Sequence, residues 1–99
     1  MAKKVVMFCS AGMSTSLLVT KMRKEAENRG LDVEIEAHSL NEANIFGPQA
    51  DLILLGPQVQ FALEKMKERF PDTPSVVIDM RSYGLMDGKA VLELAEKYL

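Results

Sequence analysis

At 99 residues, with 47% hydrophobic and 26% charged side chains, the chain has the balance of a globular protein with room for one core. That excludes a disordered chain and sets a single domain over residues 1–99 as the expectation. A net charge of -2 and few aromatic side chains exclude a nucleic-acid binder, and no apolar run approaches the roughly 20 residues that cross a bilayer.

The N-terminus has no secretory cleavage pattern, so a cytoplasmic protein without membrane insertion is expected. A single cysteine can form neither an internal disulfide nor a cysteine-rich metal site, so any role for Cys9 is that of a free thiol. Lys4 to Cys9 is a short apolar run ending in small and polar residues, which predicts a buried strand feeding a loop. Leu18, Met22 and Ala26 then recur at helical spacing among Lys21, Arg23, Lys24 and Arg29, with Gly30 as a C-terminal cap. This predicts an amphipathic helix whose cationic last turn suits the helix dipole and whose N-terminus is left to face an anion. Val33, Ile35 and Ala37 alternate with Asp32, Glu34, Glu36 and His38, the period of an edge strand with one solvated face. Leu40 to Phe46 reads as a short helical turn broken by Gly47 and Pro48.

Asp51 to Leu55 reads as a central strand ended by Gly56 and Pro57, and Val59, Ala62, Leu63, Met66 and Phe70 form the apolar stripe of the helix that follows. Pro71 and Pro74 bracket the turn out of it, and Ser75 to Asp79 is the fourth strand. Gly84, Asp87 and Gly88 mark a loop, after which Val91, Leu92, Ala95 and Leu99 give a terminal helix with Asp87 as N-cap. Strand alternating with helix implies an α/β fold, a mostly parallel sheet covered by helices on both faces in a flavodoxin-like layout. Ligands of such sheets sit beyond the carboxyl ends of the strands where the winding switches direction, and Cys9 stands at that end of the first strand.

The segment Cys9-Ser10-Ala11-Gly12-Met13-Ser14-Thr15-Ser16 follows that strand with small residues, a glycine and several hydroxyls. Small residues let the backbone curl until successive N–H groups form a nest for an anion, and a phosphate fits such a nest. The same donors favour the thiolate of Cys9 and so make it a nucleophile. In phosphoryl transfer, charge spreads over equatorial oxygens that preorganised amides can stabilise without a side-chain acid. Ser10, Ser14, Thr15 and Ser16 either add hydroxyl contacts or cap the helix. The rival reading of Cys9, a thiol that fills the end of a strand, is set against its position before a small-residue loop and a helix start.

These residues resemble the enzyme IIB components of the lactose/chitobiose/cellobiose branch of the bacterial phosphoenolpyruvate-dependent sugar phosphotransferase system. The resemblance runs over nearly the whole chain. It rests on Phe8-Cys9-Ser10-Ala11-Gly12-Met13-Ser14-Thr15-Ser16-Leu17-Leu18, on Leu54-Leu55-Gly56-Pro57-Gln58, and on Tyr83-Gly84 with Asp87-Gly88. It implies a four-stranded parallel sheet similar to that of the low-molecular-weight tyrosine phosphatases. It also implies that Cys9 accepts a phosphoryl group from a phosphohistidine on a IIA protein and passes it to a cellobiose-, chitobiose- or lactose-type sugar during uptake through a membrane IIC component. No cofactor or metal is required, and a monomeric, free-standing subunit is expected.

The phosphatases supply the alternative function. Their loop runs Cys, five residues, Arg, but Thr15 stands where that guanidinium would clamp the phosphate. No Asp-Pro pair follows the fourth strand, and Asp79, the nearest acid, reads as a cap before it reads as a general acid. Such absences suit a relay, whose thiophosphate must outlast the wait for its acceptor. An arsenate reductase would pass oxidation along several cysteines, and this chain has one. Gly56, Pro57, Gln58 and Tyr83 fall on the same rim as Cys9, either lining the site and docking a partner or serving as turn and packing residues. Met13 either meets partners or tucks into the core. His38 reads as a solvated surface histidine at the far end of an edge strand.

Overall fold

A strand with no polar alternation is stable only between two covering layers. The computed structural model, which describes residues 2–10 and 12–99 and the side chains of these apart from residues 12–15, meets that demand twice. In β1 (Lys3–Cys9) every side chain from Val5 onward is buried, and in β3 (Leu52–Leu55) all are. With β2 (Val33–Ser39) and β4 (Ser75–Val77) they form one four-stranded sheet in the order β2-β1-β3-β4, every pair parallel. The chain thus winds from β1 first to one side and then to the other, which makes the carboxyl ends of β1 and β3 the switch point.

The helices divide between the two faces. Val5 and Met7 of β1, with Leu52 and Leu54 of β3, pack against Leu18, Met22 and Ala26 of α1 (Gly12–Asn28). The same face carries Val91, Leu92 and Ala95 of the last helix (Gly88–Glu96). The alternate residues Val6, Phe8, Ile53 and Leu55 pack against Ala43 of α2 (Ala43–Phe46), Met66 of α3 (Leu63–Arg69), and Val59 and Ala62 between β3 and α3. The short α4 (Met80–Gly84) follows β4, and the last helix is α5. Each face closes with buried apolar side chains, so the two layers cover the apolar runs seen in the sequence.

Several boundaries differ from expectation, each for a local reason. α1 begins at Gly12, so the segment read as a loop to Ser16 is a short link followed by the helix's opening turns. Its last turn holds no basic residue, because the helix ends at Asn28 and Arg29 lies past it, before Gly30 at φ +67°. Gly47 and Pro48 do not break the turn that starts at Leu40 but continue it as a 3-10 turn, Gly47–Gln49. A Cβ on Gly47 would strike the Phe70 ring, so the glycine serves packing. The stripe from Val59 to Phe70 is not one helix: Pro57–Ala62 is a 3-10 stretch kinked at Val59, and only Leu63–Arg69 is α-helical. β4 stops at Val77, and Asp79 caps α4 instead of extending the strand. Tyr83 and Gly84, expected in a loop, therefore lie in that helix, whereas Asp87 caps α5 as predicted by accepting the Ala90 amide at 3.0 Å.

Candidate active site

β1 delivers Cys9 to the carboxyl rim of the sheet, where the register pairs it with Ser39 of β2. Side chains alternate along a strand, so Cys9 shares a face with Val5 and Met7 and points to the layer of α1, α5 and Tyr83. Cys9 is only 1% exposed, whereas Ser10 beside it is exposed, so the thiol lies beneath the rim and away from bulk water. Three residues after Cys9, α1 opens at Gly12 with no acidic side chain in its first turn, leaving the positive end of its dipole uncompensated next to the cysteine.

The neighbouring strand closes the other side. Past the end of β3, Gly56 donates its N–H to the Phe8 carbonyl at 3.0 Å, which ties the β3 exit to the residue before Cys9. Pro57 has no N–H to offer and is buried, and Val59 donates to the Gly56 carbonyl at 3.0 Å. A Cβ placed on Gly56 would sit 3.2 Å from Gln58 Oε1, 3.5 Å from Tyr83 Cε2 and 3.6 Å from Cys9 Cβ. Cys9, Gln58 and Tyr83, read from three separate stretches of sequence, thus surround one small space that glycine leaves open.

Tyr83 reaches this space because Asp79 starts α4 there, its carboxylate accepting the Ser82 amide at 2.9 Å. That bond from the Ser82 amide, with the Ser82 hydroxyl second, holds the Asp79 carboxyl below the usual carboxylate range. Tyr83 is itself 6% exposed, so the packing reading holds along with its place on the rim. Thr15 and Ser16 lie past the capping positions of α1, and the Ser16 carbonyl accepts the Thr20 hydroxyl at 2.9 Å. Ala11, and the side chains of Gly12, Met13, Ser14 and Thr15, lie outside the described residues, and with them the hydroxyl contacts of Ser14 and Thr15 and the two readings of Met13, whereas the Ser10 and Ser16 side chains are exposed.

His38 departs from the expectation of a solvated residue. It reaches the same rim, opposite Phe8, but on the sheet face away from Cys9. There its ring stacks on Phe46 with centroids 3.5 Å apart, and Nε2 lies 2.9 Å from Glu36 Oε1. Ser39 is a further residue of this rim. With Glu42 it forms a capping box for the turn Leu40–Glu42, and the signal was present as Ser39-Leu40-Asn41-Glu42.

The family model for the lactose/cellobiose-specific IIB subunit of the PTS system, the sugar phosphotransferase system, matches residues 4–94. The chain belongs to this IIB family. The IIB chain is 44% identical to the cellobiose-specific EIIB component of Lactococcus lactis subsp. lactis, over all of its own length and 99% of that protein's. It is equally similar, with the same coverage, to the galactose-specific EIIB component of Lactococcus lactis subsp. cremoris. Among solved structures, that of a cellobiose-specific phosphotransferase IIB component from Borrelia burgdorferi superposes with a TM-score of 0.80 at 32% identity, covering 99% of the IIB chain and 92% of the other. Among the described residues, no helix of the IIB chain is long and apolar enough to cross a membrane.

Proposed function

We propose that this chain is a single-domain cytoplasmic phosphocarrier, monomeric in solution. In this reading Cys9 takes a phosphoryl group from a phosphohistidine on a IIA protein and yields it to a disaccharide of the cellobiose, chitobiose or lactose type at a membrane IIC component. The observation that carries the reading is the convergence at one rim of Cys9, Gly56 and Tyr83 with the N-terminus of α1, in a chain of the IIB family. In the first step the Cys9 sulfur attacks phosphorus; the S–P bond forms, the P–N bond breaks and its electron pair stays on the imidazole. In the second a sugar hydroxyl oxygen attacks phosphorus, the S–P bond breaks, the thiolate is restored and the hydroxyl proton leaves to solvent. The N–H groups of Ser10 and of the first turn of α1 hold the equatorial oxygens through both steps, while those of Thr15 and Ser16 close the helix.

The phosphatase alternative loses ground at Asp79, whose carboxylate is engaged in capping α4, and at Thr15, which offers no guanidinium. The relatives named for cellobiose and for galactose match this chain equally well, so identity alone does not choose the sugar. Intact mass measurement tests the relay after incubation with phosphoenolpyruvate, the general phosphotransfer proteins and a IIA of this branch. One phosphoryl group on the wild type and none on Cys9→Ser is the expected result. Equal labelling of both proteins, or turnover of an aryl phosphate without labelling, overturns it.

A further inference from the structure

A phosphoryl group on Cys9 carries its negative oxygens away from β1, and α1 supplies amide donors from one side only. On the β3 side two of the nearby backbone donors are already engaged and a third is missing. The Gly56 N–H is spent on Phe8, Pro57 has none, and the Val59 N–H is spent on Gly56. What this side holds instead is the carboxamide of Gln58, folded back until its Oε1 lies 3.2 Å from the point a Gly56 Cβ would occupy, the same point that is 3.6 Å from Cys9 Cβ. A half-turn about the last side-chain torsion exchanges the carboxamide oxygen for its NH2 group, so the position is equally open to a donor. From these facts the geometry points to Gln58 as the side-chain donor to the phosphoryl group on Cys9, with Gly56 kept free of a side chain so that the carboxamide can reach it.

The assignment rests on the phosphocarrier reading and adds to it the group that does a guanidinium's work without its charge. An arginine would hold the phosphoryl dianion bidentately and strongly, which suits an enzyme that retains phosphate through hydrolysis. A carboxamide gives one neutral hydrogen bond, enough to orient the group and shield it from water, and weak enough for release to the next acceptor. The Tyr83 ring forms the opposite wall of the same space.

The test uses phosphorylated full-length chains separated from their donors, so that contact with a IIA protein does not enter the readout. Wild type, Gln58→Ala, Gln58→Glu and Gly56→Ala are compared by phosphorus-31 NMR titration and by the lifetime of the phosphocysteine, with circular dichroism melts as a control on folding. Loss of a donor raises the ionisation midpoint of the bound phosphoryl group and leaves it open to water. The Gln58→Ala midpoint is therefore expected to move up and its lifetime to fall about tenfold. In Gln58→Glu a negative charge replaces the donor, and the midpoint moves further up. Gly56→Ala, whose Cβ crowds the carboxamide, should reproduce the Gln58→Ala result with Gln58 still present, its φ of -63° being open to alanine. Superimposable titrations and lifetimes in all four proteins overturn the role of Gln58 and leave the relay standing. Absence of any phosphoprotein, wild type included, overturns both.

Discussion

Ser75 brings a hydroxyl into the sheet at the start of β4, where its Oγ is buried and, among the described residues, meets no hydrogen-bond partner. Burying an unsatisfied hydroxyl costs about 1–3 kcal/mol, whereas alanine at the same place loses little volume and no bond. Ser75→Ala is therefore expected to stabilise the fold by about 1 kcal/mol, read as a higher denaturant midpoint with an unchanged slope. A loss of similar size would mean that the hydroxyl is bonded through an ordered water and belongs to the structure. Cys9 makes the opposite case at the same scale. Its 1% exposure would suit a packing cysteine, and only its company at the rim separates it from one.

At the scale of elements, the contact between α1 and α5 decides how tightly the face carrying Cys9 closes. Gly88 opens α5 against α1, and a Cβ there would stand 2.7 Å from Lys21 Cβ, 2.8 Å from the Lys21 carbonyl carbon and 2.9 Å from the Met22 nitrogen. Helix propensity alone favours alanine over glycine by up to about 1 kcal/mol. The clash is with backbone, which cannot step aside as a side-chain end can, so Gly88→Ala is expected to destabilise by about 1–3 kcal/mol in an equilibrium denaturation. A stabilised variant would show that propensity wins and that the helices can move apart. The same glycine shows where the sequence stops being legible. The apolar runs of β1 and β3, the alternation in β2 and the spacing of α1 and α5 are local patterns, and they place the strands and the rim. Gly47 and Gly88 look alike as turn residues, yet each is small because of a side chain or backbone far away in the chain: Phe70 for the first and Lys21 for the second. The helix that carries Tyr83 was hidden for a related reason, since it is short and set by a single cap at Asp79.

At the scale of the molecule, the end of α1 far from the rim is fastened to α5 through the Arg29 guanidinium. Arg29, just beyond α1, bonds Glu25 of α1 at 2.7 Å and reaches Glu96 at 2.7 Å and Glu93 at 3.0 Å on α5. The bonds to Glu25 first and to Glu93 next hold its guanidinium in the charged form even more firmly than is usual for arginine. Isolated surface pairs contribute little, but three carboxylates on two helices converge on this guanidinium, and a cation shared among anions also relieves their mutual repulsion. Arg29→Met keeps most of the aliphatic stem and removes the charge. Its melting temperature is expected to fall by about 5 °C at low salt. At about 1 M NaCl, where the screening length is about 3 Å, the difference should shrink, because salt then quiets the carboxylates left behind. On the proposed phosphocarrier function, phosphoryl uptake by Cys9 at temperatures well below melting should stay at the wild-type rate, since α1 separates Arg29 from the rim by about 25 Å. A fall that is the same at both salt concentrations would assign the effect to packing of the stem instead. A fall in uptake without a fall in melting temperature would mean that the clamp sets the aim of α1 directly, and that the two ends of the helix are mechanically coupled.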